Sequence, residues 1–291
     1  MTSEPRLDWY PGLMARTKRF LGRHASDLDV CLEVADARGP LCSRWEGLGS
    51  MLPSVPRVLL LNKADLADPN VSSKWVEWLR DGDQDICAVM ALDSLSRRGR
   101  FLGTLKQEIA KALNRPPGAK RPVKVAVVGL PNVGKSTVLN LLAGRRGAPS
   151  GAKPGLTRGQ HWVVVSQSLW LLDLPGVLPA VTRTASDVFK LAALGILPEG
   201  AYDQVAAATG LIDMLREQVG AARLAEQLDM QQSPVEAADC LEFLGRRRGL
   251  LLPGGVVDLT RAAVVLIAEY RRGSLGRVSL ESPPVGEPDG A

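Results

Sequence analysis

Gly129-Leu-Pro-Asn-Val-Gly-Lys-Ser-Thr137 is a stretch whose residue types can hold phosphate. Two glycines bracket four residues, and Lys135-Ser136 follow at once. Glycine lets the backbone turn so that successive N–H groups converge on phosphate oxygens. The stretch follows the apolar run Val123 to Val128 and precedes the helical pattern Val138, Leu139, Leu141, Leu142. A helix that starts here aims its positive dipole end at the same anion. Lys135 is expected to reach the β- and γ-phosphates, and the Ser136 hydroxyl to ligate Mg²⁺. Asn132, Val133, Gly134, Lys135, Ser136 and Thr137 are the candidate phosphate-binding residues.

A second stretch reads a base. The apolar run Arg57 to Leu61 leads into Asn62-Lys-Ala-Asp65. A carboxylate at Asp65 accepts from guanine N1–H and from its exocyclic amino group, whereas adenine offers no donor at N1. Sites built around such donors discriminate by about 10⁴ or more. Asn62 is expected to hold the base edge and tie down the phosphate loop, and the Lys63 stem to cover one face of the base. Met90 and Ala91 are candidates for a second base contact. Two further stretches suit the γ-phosphate. Thr157, in Pro154-Gly-Leu-Thr157, adds a hydroxyl for Mg²⁺ and a backbone N–H that orders when the triphosphate is present. In Asp173-Leu-Pro-Gly176, Asp173 holds Mg²⁺ through water and the Gly176 N–H touches the γ-phosphate. Lys135, Thr157 and Gly176 are thus the candidate catalytic residues.

These residues need strand ends and helix starts to position them. Apolar runs at Val30–Val34, Arg57–Leu61, Ile86–Ala91, Val123–Val128 and Trp170–Leu172 read as strands buried on both faces. Helical spacing covers Met14–Leu21, Val71–Leu79 and Phe101–Leu113, with Trp75 and Trp78 turned to the core. The first of these has a basic face of Arg16, Lys18, Arg19 and Arg23, either a solvated surface or a contact for phosphate backbone. Arg145 to Gln160 is Gly- and Pro-rich without periodicity and reads as a long functional loop. After Gly176 the pattern is helical throughout: Asp187–Leu194, Ala201–Val219, Leu224–Met230, Val235–Arg248 and Leu259–Arg271. Ser233-Pro234-Val-Glu236 predicts a capped start for the fourth of these. Arg246, Arg247, Arg248, Arg261, Arg271 and Arg272, followed by Arg277, suggest a nucleic-acid face or a solubilising surface. Glu281 to Ala291 has the composition of a disordered tail.

Composition is consistent with this α/β reading. The net charge of +5 favours an anionic partner. Cys31, Cys42, Cys87 and Cys240 show no metal or disulfide spacing, so buried free thiols in a reducing, cytoplasmic setting are expected. No apolar run is long enough for a membrane span, and the few residues before Trp9 leave little room for a transit peptide.

The order of the stretches adds information. In ordinary small GTPases the phosphate loop comes first and the base-reading tetrapeptide last; here the order is reversed. Trp9-Tyr-Pro-Gly, Asp36-Ala-Arg38, Leu61-Asn-Lys-Ala-Asp65, the phosphate loop, Pro154-Gly-Leu-Thr157, Asp173-Leu-Pro-Gly176 and the Arg-Gly…Gly-Gly stretch at 248–255 together resemble the circularly permuted YlqF/RbgA ribosome-biogenesis GTPases. The resemblance implies a permuted P-loop GTPase domain at 1–182 with a mostly parallel sheet and flanking helices. It also implies a smaller all-helical RNA-binding domain at 183–280, before the tail at 281–291. It implies GTP hydrolysis coupled to late assembly of the large ribosomal subunit, with docking on rRNA in the GTP state, and a monomer whose partner is the subunit precursor with its rRNA and ribosomal proteins. Val177 stands where Ras-type enzymes carry a water-orienting glutamine, and Leu13 where this family often carries a histidine. Charge at the transition state is then expected from K⁺, with Asn132 matching the asparagine that ligates it in cation-dependent relatives. Two other readings stay open on the residues alone: a nucleotide-gated RNA-binding module with little hydrolysis, and an ATPase or small-molecule kinase.

Overall fold

The computed structural model describes residues 11–82, 85–93, 98–114, 121–143, 161–166, 169–174, 176, 184–231 and 236–284. In chain order the elements are α1 (Pro11–His24), β1 (Val30–Asp36), α2 (Leu48–Met51), β2 (Arg57–Asn62), α3 (Pro69–Gly82), β3 (Ile86–Leu92), α4 (Arg98–Ala112), β4 (Val123–Val128) and α5 (Lys135–Ala143). They continue with β5 (His161–Ser166), β6 (Leu169–Asp173), α6 (Ala185–Ala193), α7 (Gln204–Val219), α8 (Ala221–Gln227), α9 (Ala237–Arg247) and α10 (Leu259–Arg272).

The strands form one six-stranded sheet in the order β3-β2-β1-β4-β6-β5. All neighbours are parallel except β5, which runs antiparallel to β6. The continuous apolar runs are explained by burial: every residue of β1 and of β2 is buried. Chain progress from β1 to β3 moves along one side of the sheet, and β4 then enters on the other side of β1. Strand order therefore reverses at the β1/β4 junction, and in open α/β sheets the crevice beyond the carboxyl ends at such a point takes the ligand. Asp36, Asn62 and the phosphate loop all leave the sheet on that edge.

Helices α6, α7, α9 and α10 pack mainly on one another, yet they do not build a separate core. Leu191, Leu194, Ile196, Leu211, Leu241 and Leu266 join the same buried cluster as Val30, Val127 and Val138. The expected boundary near residue 183 thus marks a change of secondary structure while the apolar interior runs across it.

Several element bounds differ from the sequence reading, each for a physical reason. Strand β3 continues through Ala91 to Leu92, because Met90 and Ala91 stay in register with Leu60 and Leu61. Met90 and Ala91 are strand residues at the carboxyl end of β3, next to Leu92, which pairs with Asn62. Helix α9 begins at Ala237 with Glu236 as its N-cap and no side-chain cap bond. Glu236 therefore cannot be the third-residue glutamate of a capping box, and Ser233 lies outside the described residues. The reciprocal box occurs instead at α6, where Thr184 and Asp187 cap each other's backbone. The expected tail starts too early. Glu281 is buried, accepting from the backbone N–H groups of Leu41 (2.8 Å) and Cys42 (3.2 Å), and its own carbonyl accepts from Trp75 Nε1 (3.1 Å). Cys31, Cys42 and Cys240 are buried free thiols, but Cys87 is exposed on β3.

Candidate functional site

The phosphate loop starts where β4 ends, and α5 begins at Lys135. Val133 is fully buried and plugs the loop into the core, which leaves its backbone to form the outer rim. Asn132 takes a left-handed conformation (φ 59°), as does Gly134 (φ 99°). Gly134 could carry no side chain even in a relaxed backbone, since a Cβ there would collide with Asn62 Nδ2. Lys135 Nζ is buried and donates to the Leu130 carbonyl at 2.8 Å, folding back over its own loop. Gly176 lies against the same spot: a Cβ there would sit 2.5 Å from Lys135 Nζ and 3.0 Å from Pro131 Cα. The structure thus brings Gly176 and Lys135 together, as a γ-phosphate site requires. Ser136 and Thr137 are exposed in the first turn of α5.

The base-reading stretch meets this loop directly. Asn62 Nδ2 donates to the Val133 carbonyl at 2.8 Å, across 71 residues of chain. Its Oδ1 is buried without a protein partner, and its Nδ2 carries a second hydrogen. Both are open to a bound group lying between the loops. Such an orphaned acceptor next to a glycine cradle fits a nucleotide.

Beside these loops Lys63 joins a buried pair, Asp36 and Arg38, that the sequence reading gave no role. Lys63, itself left-handed (φ 61°), places Nζ 2.8 Å from Asp36 Oδ2. Arg38 grips the same carboxylate with Nε (3.0 Å) and Nη2 (2.9 Å). Burial alone pushes the Asp36 carboxyl up, but the charges of Lys63 and Arg38 overcome this and hold it well below the usual carboxylate range. Arg38 Nη1 also donates to the Tyr270 carbonyl at 3.2 Å, at the end of α10. Carbonyls at a helix C-terminus lack intrahelical partners, so the guanidinium both neutralises Asp36 and caps α10.

The phosphate loop touches the helical layer as well. Asn132 Nδ2 donates to the Gly195 carbonyl at 2.7 Å. Arg271 was grouped above with a nucleic-acid face, but it points inward: Nη2 donates to the Ala192 carbonyl (2.6 Å) and the Tyr202 hydroxyl (3.3 Å). It satisfies the exposed end of α6 and is removed from the RNA-facing set. Arg277 likewise binds backbone within the protein. Arg246 pairs with Glu242, Arg247 with Asp229 and Arg248 with Glu269 while remaining partly or fully exposed. Arg261 and Arg272 are exposed at the two ends of α10.

Thr157, Val177 and the side chains of Leu13, His161 and Asp173 fall outside the described residues. The backbone register does place His161 opposite Asp173 and Val127 beside it, at the carboxyl edge of β4 and β6. Mg²⁺ prefers oxygen donors and keeps few protein ligands when phosphates supply the rest. Ser136, Thr157 and Asp173 offer such donors, and no described group of three His, Cys, Asp or Glu residues forms a dedicated metal site.

The role of Lys135 is testable here. Lys135→Ala is expected to weaken triphosphate binding roughly 10- to 100-fold, the worth of a charge-assisted bond. Thermal melting with and without GTP checks it: the ligand-free Tm should hold while the GTP-dependent rise collapses.

Residues 124–234 match the family described as 50S ribosome-binding GTPase. The chain is 30% identical over 287 residues to ribosome biogenesis GTPase A of Priestia megaterium, covering 97% of this chain and 98% of that protein. It is 32% identical over 282 residues to the protein of that name from Bacillus licheniformis, covering 95% and 98% respectively. The fold superposes on GNP-bound YlqF from T. maritima with a TM-score of 0.69 at 28% identity, over 92% of this chain and 98% of that one.

Proposed function

The chain belongs to the ribosome biogenesis GTPase A (YlqF/RbgA) family, and from that premise we propose that it binds GTP at the carboxyl edge of the sheet, hydrolyses it, and acts in assembly of the large ribosomal subunit. The observation that carries the reading is the Asn62–Val133 hydrogen bond. It unites a base-reading stretch and a phosphate loop that the chain order separates, so one nucleotide spans both.

Each residue then has a task. Asp65 accepts from the guanine edge, and the Lys63 stem, anchored through Nζ on Asp36, lies along the base. Lys135 exchanges its Leu130 carbonyl for phosphate oxygens. The Gly176 N–H meets the γ-phosphate, where a side chain would strike Lys135. Ser136, Thr157 and Asp173 would hold Mg²⁺, which would supply charge neutralisation for the triphosphate. With Val177 and Leu13 unable to move a proton, catalysis rests on positioning and charge. Asn132 spends an amide N–H on the Gly195 carbonyl, and its amide oxygen would be the ligand for K⁺. Binding of the subunit precursor falls to the helical layer, through Arg246, Arg247, Arg248, Arg261 and Arg272. The protein acts as a cytoplasmic monomer, docked in the GTP state and released after hydrolysis.

Co-sedimentation with large subunits under a GTP analogue, GDP or no nucleotide tests this. Retention is expected to be about tenfold higher with the analogue. Turnover on the particle should be faster in K⁺ than in Na⁺. Equal retention in all three states removes the docking cycle, and equal rates in both salts remove the role of Asn132.

A further inference from the structure

The loop expected to read guanine, residues 63–68, is covered by the last packed segment of the chain. Arg277 Nη2 donates to the Ala64 carbonyl at 2.9 Å and its Nε to the Ala67 carbonyl at 2.9 Å. These two carbonyls flank Asp65. Ser279 Oγ accepts from the Asp68 N–H at 3.2 Å. Gly273, the left-handed C-cap of α10, lies against Leu66, whose side chain a Cβ there would strike. The covering segment is itself fixed. Val278, Ser279 and Leu280 are buried, the Val278 carbonyl accepts from Tyr270 Oη (2.9 Å), and the Leu280 N–H donates to the Arg38 carbonyl (2.6 Å). The loop's own backbone bonds, Ala64 N–H to Leu92 and Leu66 N–H to Lys63, involve its N–H groups, while Arg277 takes its carbonyls.

We propose that this segment, through Arg277, positions Asp65 for guanine recognition, so that nucleotide specificity depends on a residue more than two hundred positions later in the chain. The proposal rests on the reading that Asp65 binds guanine. A carboxylate discriminates only if it is held within about 0.5 Å of its working position. A guanidinium bridging the Ala64 and Ala67 carbonyls fixes the peptide that joins Ala64 to Asp65 and the end of the turn that follows. Lysine cannot reproduce this fork, and alanine leaves both carbonyls to water. Arg277 is a positioning residue: it shapes the loop without touching the nucleotide.

The test is direct calorimetric titration of GTP and ITP into the full-length protein, with wild type, Arg277→Ala, Arg277→Lys and Asp65→Asn. ITP lacks the exocyclic amino group that the carboxylate holds. Arg277→Ala is expected to lower GTP affinity by about tenfold and ITP affinity by less, narrowing the GTP-to-ITP ratio at least about threefold. The rate at saturating GTP should be unchanged, which separates loss of positioning from general damage. Arg277→Lys should lie between, and it takes the place of Arg277→Ala if that variant fails to fold. A wild-type ratio in a folded Arg277 variant overturns the proposal. If Asp65→Asn also keeps the wild-type ratio, then the guanine reading of the loop has itself failed.

Discussion

Asp65→Asn is expected to convert the protein from a guanine binder to a xanthine binder. A carboxylate accepts from both guanine N1–H and the exocyclic amino group. An asparagine amide accepts once and donates once, so it leaves the amino group facing another donor. Xanthine carries a carbonyl at that position and suits the amide. Sites built around specific donors lose on the order of 10⁴ when the pairing is wrong, so GTP affinity should fall by at least about 10³-fold while XTP affinity rises. The loop should keep its shape, because its contacts to Arg277, Ser279 and Leu92 are made by backbone atoms. Direct calorimetric titration of each nucleotide measures the exchange. Continued preference for GTP over XTP in the variant would show that Asp65 does not read the base.

Arg38→Met should give the second large effect, on stability. Arg38 and Asp36 are both essentially without solvent exposure. Removing one partner of such a pair typically costs about 3–5 kcal/mol. Lys63 stays beside Asp36, so a loss near the lower figure is expected, about 5 °C in Tm for a chain of this size. Arg38→Lys should recover little, since lysine cannot reach both Asp36 oxygens and the Tyr270 carbonyl together. The acid limb should move too. Asp36 has a depressed native carboxyl value, so its contribution is fully present above the ordinary unfolded value of about 4 and is lost as pH falls through the lower native one. Without Arg38 the depression shrinks, and acid unfolding should begin at higher pH. Denaturant midpoints across pH 2–7 check this; coincident curves for wild type and Arg38→Met would refute the role of the pair.

What the sequence disclosed was local. The phosphate loop, the Asn62–Asp65 tetrapeptide and the β1, β2 and β4 runs each depend on a few adjacent residues, and each is found where its pattern placed it. The long-range contacts were hidden because their partners lie far apart in the chain. Arg38 and the Tyr270 carbonyl are 232 residues apart, and Arg277 and the Ala64 carbonyl 213. Asp36-Ala-Arg38 was visible as a family feature, yet nothing in its spacing says that the arginine ends a helix. Arg271 and Arg277 looked like surface charge because an arginine that caps a helix or ties a loop has the same letter as one that meets RNA. Glu281 was misjudged for the converse reason: its Pro- and Gly-rich surroundings suggest a free end, and only the Leu41, Cys42 and Trp75 contacts reveal the packing. Strand β3 runs one residue further than its apolar run suggests, because Leu92 pairs with Asn62 on the neighbouring strand.

The attachment of Glu281 bears on how the protein is made. The backbone N–H groups of Leu41 and Cys42 and the indole of Trp75 belong to the first third of the polypeptide, yet they find partners only at residue 281. During translation these donors stay bonded to water until residue 281 has been made. A chain cut short by a premature stop would expose them permanently, along with the apolar surface beneath. A chain that ends before residue 281 therefore lacks the clasp that joins the Leu41–Cys42 turn to Trp75 of α3.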